Sequence, residues 1–124
     1  MEHEDKVFLI VDDEPDMCWA LDSILKKNGF LSKKAFNGQD ALKLIKENRF
    51  ELIFLDAKLP DIEGLELARQ IREIDPFIRI VIVSGYFYRD DIDIQQAMAE
   101  GSISGFIDKP FNHDDIVKIT NKTN

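Results

Sequence analysis

Five short apolar runs punctuate the chain: "VFLIV" at 7–11, "LSKKAF" at 31–36, "ELIFLD" at 51–56, "RIVIVS" at 79–84 and "SGFID" at 104–108. Most are continuous rather than alternating, which predicts strands covered on both faces, as in a parallel sheet. The second run is mixed with polar residues and predicts an edge strand. Between the runs the spacing turns helical. Met17, Ala20, Leu21, Ile24 and Leu25 stand at i, i+3, i+4, i+7 and i+8, after Pro15 as a first-turn residue and before Gly29 as a stop. Ala41, Leu42 and Ile45 repeat the stripe after the turn signal Asn37-Gly38. Leu67, Ala68 and Ile71 give a third helix, and Ile94, Ala97 and Met98 a fourth. A fifth, "HDDIVKIT", begins near His113 and runs into the polar tail "NKTN". Five alternations of strand and helix predict one α/β domain over 1–124, with its core at about 7–119 and 120–124 as tail. Its crossovers are right-handed and its helices lie on both faces of the sheet.

In such sheets, ligands bind beyond the carboxyl ends of the strands. Asp12 and Asp13 follow the first run, Asp56 closes the third, Ser84 closes the fourth, and Lys109-Pro110 follows the fifth. The second run ends in "FNG" and delivers nothing comparable. Three carboxylates, a hydroxyl and an ammonium are thus expected at one rim. Two carboxylates about 4 Å apart repel by about 4 kcal/mol at an effective dielectric of 20. An oxygen-preferring divalent cation relieves that repulsion, and Mg²⁺ suits a site with one or two carboxylates and room for phosphate oxygens. Asp13 and Asp56 are the leading ligands, Asp12 acts partly through water, and the Lys58 backbone carbonyl completes the protein's share. A carboxylate beside Mg²⁺ is also a plausible nucleophile toward phosphorus. Phosphoryl transfer needs positioning and charge neutralisation, which Mg²⁺, Lys109 and the Ser84 hydroxyl can divide among three oxygens.

Composition narrows the class. Of 124 residues, 44% are hydrophobic and 32% charged, which fits a soluble globular chain. The net charge of −8 argues against a broad nucleic-acid surface. Cys18 is the only cysteine, so no intrachain disulfide or cysteine metal site is expected, and it reads as a small apolar helix residue. No signal peptide and no apolar run of membrane-spanning length is present, which makes the cytoplasm the expected location.

Taken in order, "VDDEPD", "LIFLDAKLPDIEG", "VIVSG" and "GFIDKPF" resemble the receiver domain of two-component response regulators, over about residues 7–119. The resemblance implies a flavodoxin-like (βα)5 fold with strand order 2-1-3-4-5. It implies that Asp56 accepts phosphate from a histidine kinase or phosphotransfer protein, that Asp12 and Asp13 bind Mg²⁺, and that Lys109 contacts the phosphoryl group. Ser84 and Phe106 become a switch pair, Lys109-Pro110 a cis peptide, and helix 4, strand 5 and helix 5 the output face. That face would engage an output domain or a partner protein, a phosphorylation-dependent homodimer included. Acids on the fourth and fifth helices (Asp90, Asp91, Asp93, Asp114, Asp115) speak against direct DNA contact there.

Two features depart from the family's usual pattern. Tyr86, Phe87 and Tyr88 fall beside the expected site, and the span from Ser84 to Lys109 runs a few residues longer than the family's usual spacing. The aromatics either cover the acyl phosphate or contact a partner, or else pack on one another. Lys58 adds a cation near the mouth that could tune phosphoryl lifetime. A turn or N-cap residue before the fourth helix is the lesser alternative for Ser84. A rival class is a Mg²⁺-dependent phosphatase with an aspartate nucleophile, but its usual second aspartate two residues on is Glu14 here. A partner-docking pseudo-receiver is the other rival, opposed by the intact Asp12, Asp13, Asp56 and Lys109. A flavin-binding domain lacks its Ser/Thr/Gly-rich phosphate loop.

Overall fold

The structure, a computed structural model, describes residues 7–85 and 91–121. Tyr86, Phe87 and Tyr88 lie outside the described residues. The elements run β1 (Val7–Val11), α1 (Pro15–Lys27), β2 (Leu31–Ala35), α2 (Gly38–Glu47), β3 (Leu52–Asp56), α3 (Gly64–Ile74), β4 (Arg79–Ser84), α4 (Ile92–Ala99), β5 (Gly105–Asp108) and α5 (His113–Asn121). One parallel five-stranded sheet has the order β2-β1-β3-β4-β5. This is the doubly wound, flavodoxin-like arrangement, and β2 lies at one edge with most of its side chains part or fully exposed.

The strand side chains divide by parity between two cores. Leu9, Val11, Ile53, Leu55, Ile80, Ile82 and Phe106 pack with residues of α2, α3 and α4. Phe8, Ile10, Leu52, Phe54, Val81, Val83 and Ile107 pack with residues of α1 and α5. Each fully buried Leu, Ile, Val or Phe stabilises the fold by about 1.5–3 kcal/mol. That is why these runs are apolar at every position instead of every other one.

Two helices turn their faces differently from the periodic expectation. α1 buries Cys18, Leu21, Asp22 and Leu25, while Ala20 is exposed and Met17 and Ile24 are half-buried. The stripe rotates because Asp22 has partners on β2: its Oδ1 accepts from the Ser32 hydroxyl at 2.5 Å, and Lys34 Nζ stands 3.3 Å from Oδ2. α4 buries Ile94 and Ala97 but leaves Met98 43% exposed.

Candidate functional site

Register brings the rim residues together. Ile10 is the partner of Phe54, and both face the α1/α5 core. Two residues further on, Asp12 and Asp56 therefore emerge side by side with the same parity. On the far strands Ser84 pairs with Asp108, and the Lys109 amide donates to the Ser84 carbonyl at 3.0 Å. Lys109 shares the parity of Ile107 and thus of Asp12 and Asp56.

The ammonium of Lys109 reaches across β4 and β3. Its Nζ donates to Asp12 Oδ2 at 2.9 Å, lies 3.5 Å from Asp56 Oδ1, and lies 3.7 Å from Glu14 Oε1. Asp12 is nearly sealed: its Oδ1 accepts from the Glu14 amide at 2.9 Å, and its own amide donates to the Ala35 carbonyl at 3.1 Å. The Cys18 thiol donates to the Asp12 carbonyl at 3.4 Å, and burial pushes its pKa up to about 11, which makes it an inert core group. Asp13 is exposed, and carboxylate oxygens of Asp12, Asp13 and Asp56 come within 4.8 Å of one another. This donor set consists of anionic oxygens only, which fits a hard divalent cation such as Mg²⁺ and not a thiophilic metal.

Burial, then the neighbouring Asp12 charge, raises the Asp56 pKa to about 6, although Lys109 and the Lys58 amide favour its ionised form. Burial by itself would lower Lys109. Its hydrogen bond to Asp12 and the charges of Asp12, Asp56 and Glu14 outweigh that, so its pKa is raised and it stays cationic. A cleft of about 440 Å³ opens on these groups, lined by Asp13, Glu14, Asp56, Lys58, Leu59, Pro60, Gly85 and Lys109. An ionised, poorly solvated carboxylate beside an ammonium, at the mouth of such a cleft, can act as a nucleophile toward an anionic electrophile whose charge the ammonium meets.

The remaining sequence candidates occupy defined positions. Ser84 is 1% exposed at the end of β4. The N-cap of α4 is Asp91, so Ser84 is not that helix's cap. Phe106 is 2% exposed and belongs to the α2–α4 side of the core. Ile82 is its register partner, so Ser84, two residues beyond, shares its face. The Lys109–Pro110 peptide is cis. Lys58 Nζ stands 4.0 Å from Glu63. The sequence reading left Glu14 out of the site. It lines the cleft as the residue before Pro15, within reach of Lys109, and its place beside the acid pair was the signal.

Comparison with known proteins places the chain among relatives. The family model of the response regulator receiver domain matches residues 8–121. Chemotaxis protein CheY of Bacillus subtilis is 36% identical over 117 residues, covering 93% of this chain and 94% of that protein. Sporulation initiation phosphotransferase F of the same organism is 34% identical over 108 residues, covering 87% and 85%. Among solved structures, the response regulator protein TrrA of Thermotoga maritima in complex with Mg²⁺-BeF has a TM-score of 0.83 at 31% identity. It covers 96% of this chain and 99% of its own.

Proposed function

Since the chain belongs to the response regulator receiver domain family, we propose that it is a phosphorylation-dependent signalling switch whose phosphoacceptor is Asp56. Receiver domains act as phosphoacceptors rather than as turnover enzymes, and they work between histidine kinases or phosphotransfer proteins and an output domain. The observation that carries the assignment of Asp56 is the Lys109 ammonium, held between Asp12 and Asp56 at the mouth of the cleft.

The chain's own groups account for the transfer. With a pKa of about 6, Asp56 is mostly ionised near neutral pH yet more basic than an ordinary carboxylate, which improves it as a nucleophile. Its oxygen attacks the donor phosphorus, an O–P bond forms as the donor's P–N or P–O bond breaks, and the leaving group departs with that electron pair. Lys109 meets the charge on one phosphoryl oxygen and the Ser84 hydroxyl meets another. Asp12, Asp13, Asp56 and the Lys58 carbonyl are the groups that would hold Mg²⁺. When bound, that ion supplies further charge neutralisation at the phosphoryl group. The Mg²⁺-BeF complex of the TrrA relative supports this choice of ion.

Output follows from Ser84 and Phe106. Because they share a face of adjacent strands, a hydroxyl drawn toward a phosphoryl group leaves space that the ring is positioned to follow. α4 exposes Ile92, and Phe106 itself lines a groove of about 460 Å³ with Ile107, Asp108, Pro110, Asp115, Lys118 and Ile119. This α4–β5–α5 face engages the downstream partner, in the cytoplasm and without direct nucleic-acid contact. Incubation with Mg²⁺ and acetyl phosphate, read by intact mass, is expected to add one phosphoryl group to the parent chain and none to Asp56→Asn. Equal labelling of the two proteins would overturn the assignment.

A further inference from the structure

The cleft wall contributed by the β3–α3 connection is a small hairpin. Lys58 and Glu63 bridge across it in antiparallel fashion, the Leu59 amide donates to the Ile62 carbonyl at 3.3 Å, and the Gly64 amide donates to the Ala57 carbonyl at 2.7 Å. Its base is pressed onto β3, since a Cβ on Gly64 would overlap the carbonyl oxygen of Asp56 and the Cα of Ala57. Its sides carry Lys58, Leu59 and Pro60 into the cleft, and the Lys58 amide donates to the Asp56 carboxylate.

The tip of this hairpin is held from outside. The carboxylate of Asp61 accepts from the Gly38 amide through Oδ1 at 2.8 Å and from the Gln39 amide through Oδ2 at 3.0 Å. These are the first two amides of α2, which have no partner within the helix. Asn37 accepts the third, from Asp40, at 2.8 Å. The approach is close enough that a Cβ on Gly38 would overlap Cγ2 of Ile62, a branched side chain with little freedom to turn aside. The start of α2 is in turn tied to the site, because the Ala35 carbonyl just before it accepts the Asp12 amide. Hydrogen bonds and the intervening chain therefore link the end of β1, the end of β2, the start of α2, the hairpin tip and Asp56, and Lys109 closes the circuit back to Asp12.

We infer that Asp61 is a positioning residue for the phosphoacceptor site, holding the Lys58–Pro60 wall in register with Asp56 by its two-pronged grip on α2. The inference rests on the function proposed above for its consequence in Mg²⁺ binding and phosphorylation, but not for the grip itself. The strap also explains why a "FNG" turn at the end of an edge strand, which delivers no side chain to the rim, matters to the rim's geometry.

The test compares Asp61→Ala and Asp61→Asn with Asn37→Ala, which removes another cap of the same helix without touching the hairpin. In metal-free protein, Asp61→Ala is expected to speed amide exchange at Lys58 as well as at Gly38 and Gln39. It is also expected to weaken Mg²⁺ binding, read by calorimetry, by roughly tenfold, the lower end for loss of a group that orients ligands. Phosphorylation by acetyl phosphate should slow in parallel. Asp61→Asn keeps one acceptor oxygen and should fall between. Asn37→Ala should lower the melting temperature while leaving Lys58 exchange and Mg²⁺ affinity as in the parent. Unchanged Lys58 exchange and Mg²⁺ affinity in Asp61→Ala, or equal losses in Asn37→Ala, would overturn the inference. A parent chain that binds no Mg²⁺ and takes no phosphoryl group would instead overturn the proposed function, and Lys58 exchange would still decide whether Asp61 holds the wall.

Discussion

At the scale of single residues, the surroundings of Asp56 disfavour its charged form. Its pKa of about 6 stands above the ordinary 3.8 because burial and Asp12 disfavour the charge. Between those values the folded chain keeps a proton that the unfolded chain has released, so stability falls as pH rises from about 4 to about 6. Above that window the whole penalty is present. Asp56→Asn is accordingly expected to be more stable than the parent at pH 7 in metal-free buffer, by about 2–3 kcal/mol. The difference should vanish near pH 4, and urea unfolding with a chelator at the two pH values measures both. Asp12, Asp13, Asp56 and Lys109 were legible in the sequence because each directly follows or ends an apolar run. Asp61 was not legible, since its partners are the amides of residues 23 and 22 positions earlier in the chain.

Elements obey a different rule: periodicity shows that a helix forms, and its neighbours decide which face it buries. On α1 the expected stripe contained Ala20, and the observed face contains Asp22 instead. An acid is tolerated there because Ser32 and Lys34 of β2 meet it, and Lys26 stands 3.5 Å away on the exposed side. Burial opposes the charge, but the Ser32 hydrogen bond and the Lys34 charge hold its carboxyl below the ordinary range. This contribution is present above the ordinary carboxylate pKa and is lost as pH falls through the lowered one. Asp22→Ala is expected to destabilise the chain by about 1–2 kcal/mol at pH 7, since it leaves a half-buried hydroxyl and a lysine without their partner. The loss should be smaller in acid, as denaturant titrations at neutral and low pH would show. On the opposite side of the sheet, Arg69 and Ser102 both donate to Glu100 Oε1, at 3.1 and 2.9 Å, which ties the end of α4 to α3. The sequence offered no sign of that tie, because Arg69 stands 31 positions before Glu100, on another element.

Across the whole molecule, 24 acids face 16 Lys and Arg, and the excess of negative charge bears hardest where three carboxylates share one rim. A cation held there stabilises the folded chain through binding linkage. Mg²⁺ at about 100 times its dissociation constant should add about 2.7 kcal/mol. Asp13→Asn, which removes the exposed carboxylate of the trio, should lose most of that gain, and thermal melts across a Mg²⁺ series would reveal it. Among the described residues no helix is long and apolar enough to cross a membrane.

By itself the sequence determined the five strands, to within a residue or so at their ends, the helices between them, and the residues that finish each strand. Those properties are written in contiguous residues, where a run of Val, Ile, Leu and Phe or a stripe at helical spacing is its own signal. Only the tertiary structure decided the relations between elements. The pairing of Ile10 with Phe54 sets Asp12 beside Asp56, and the shared parity of Ile107 and Lys109 turns the ammonium toward them. Asp22 and Asp61 found their partners only through packing. Register and helix rotation are settled by burying both faces of one sheet at once, a condition that no local stretch of sequence carries.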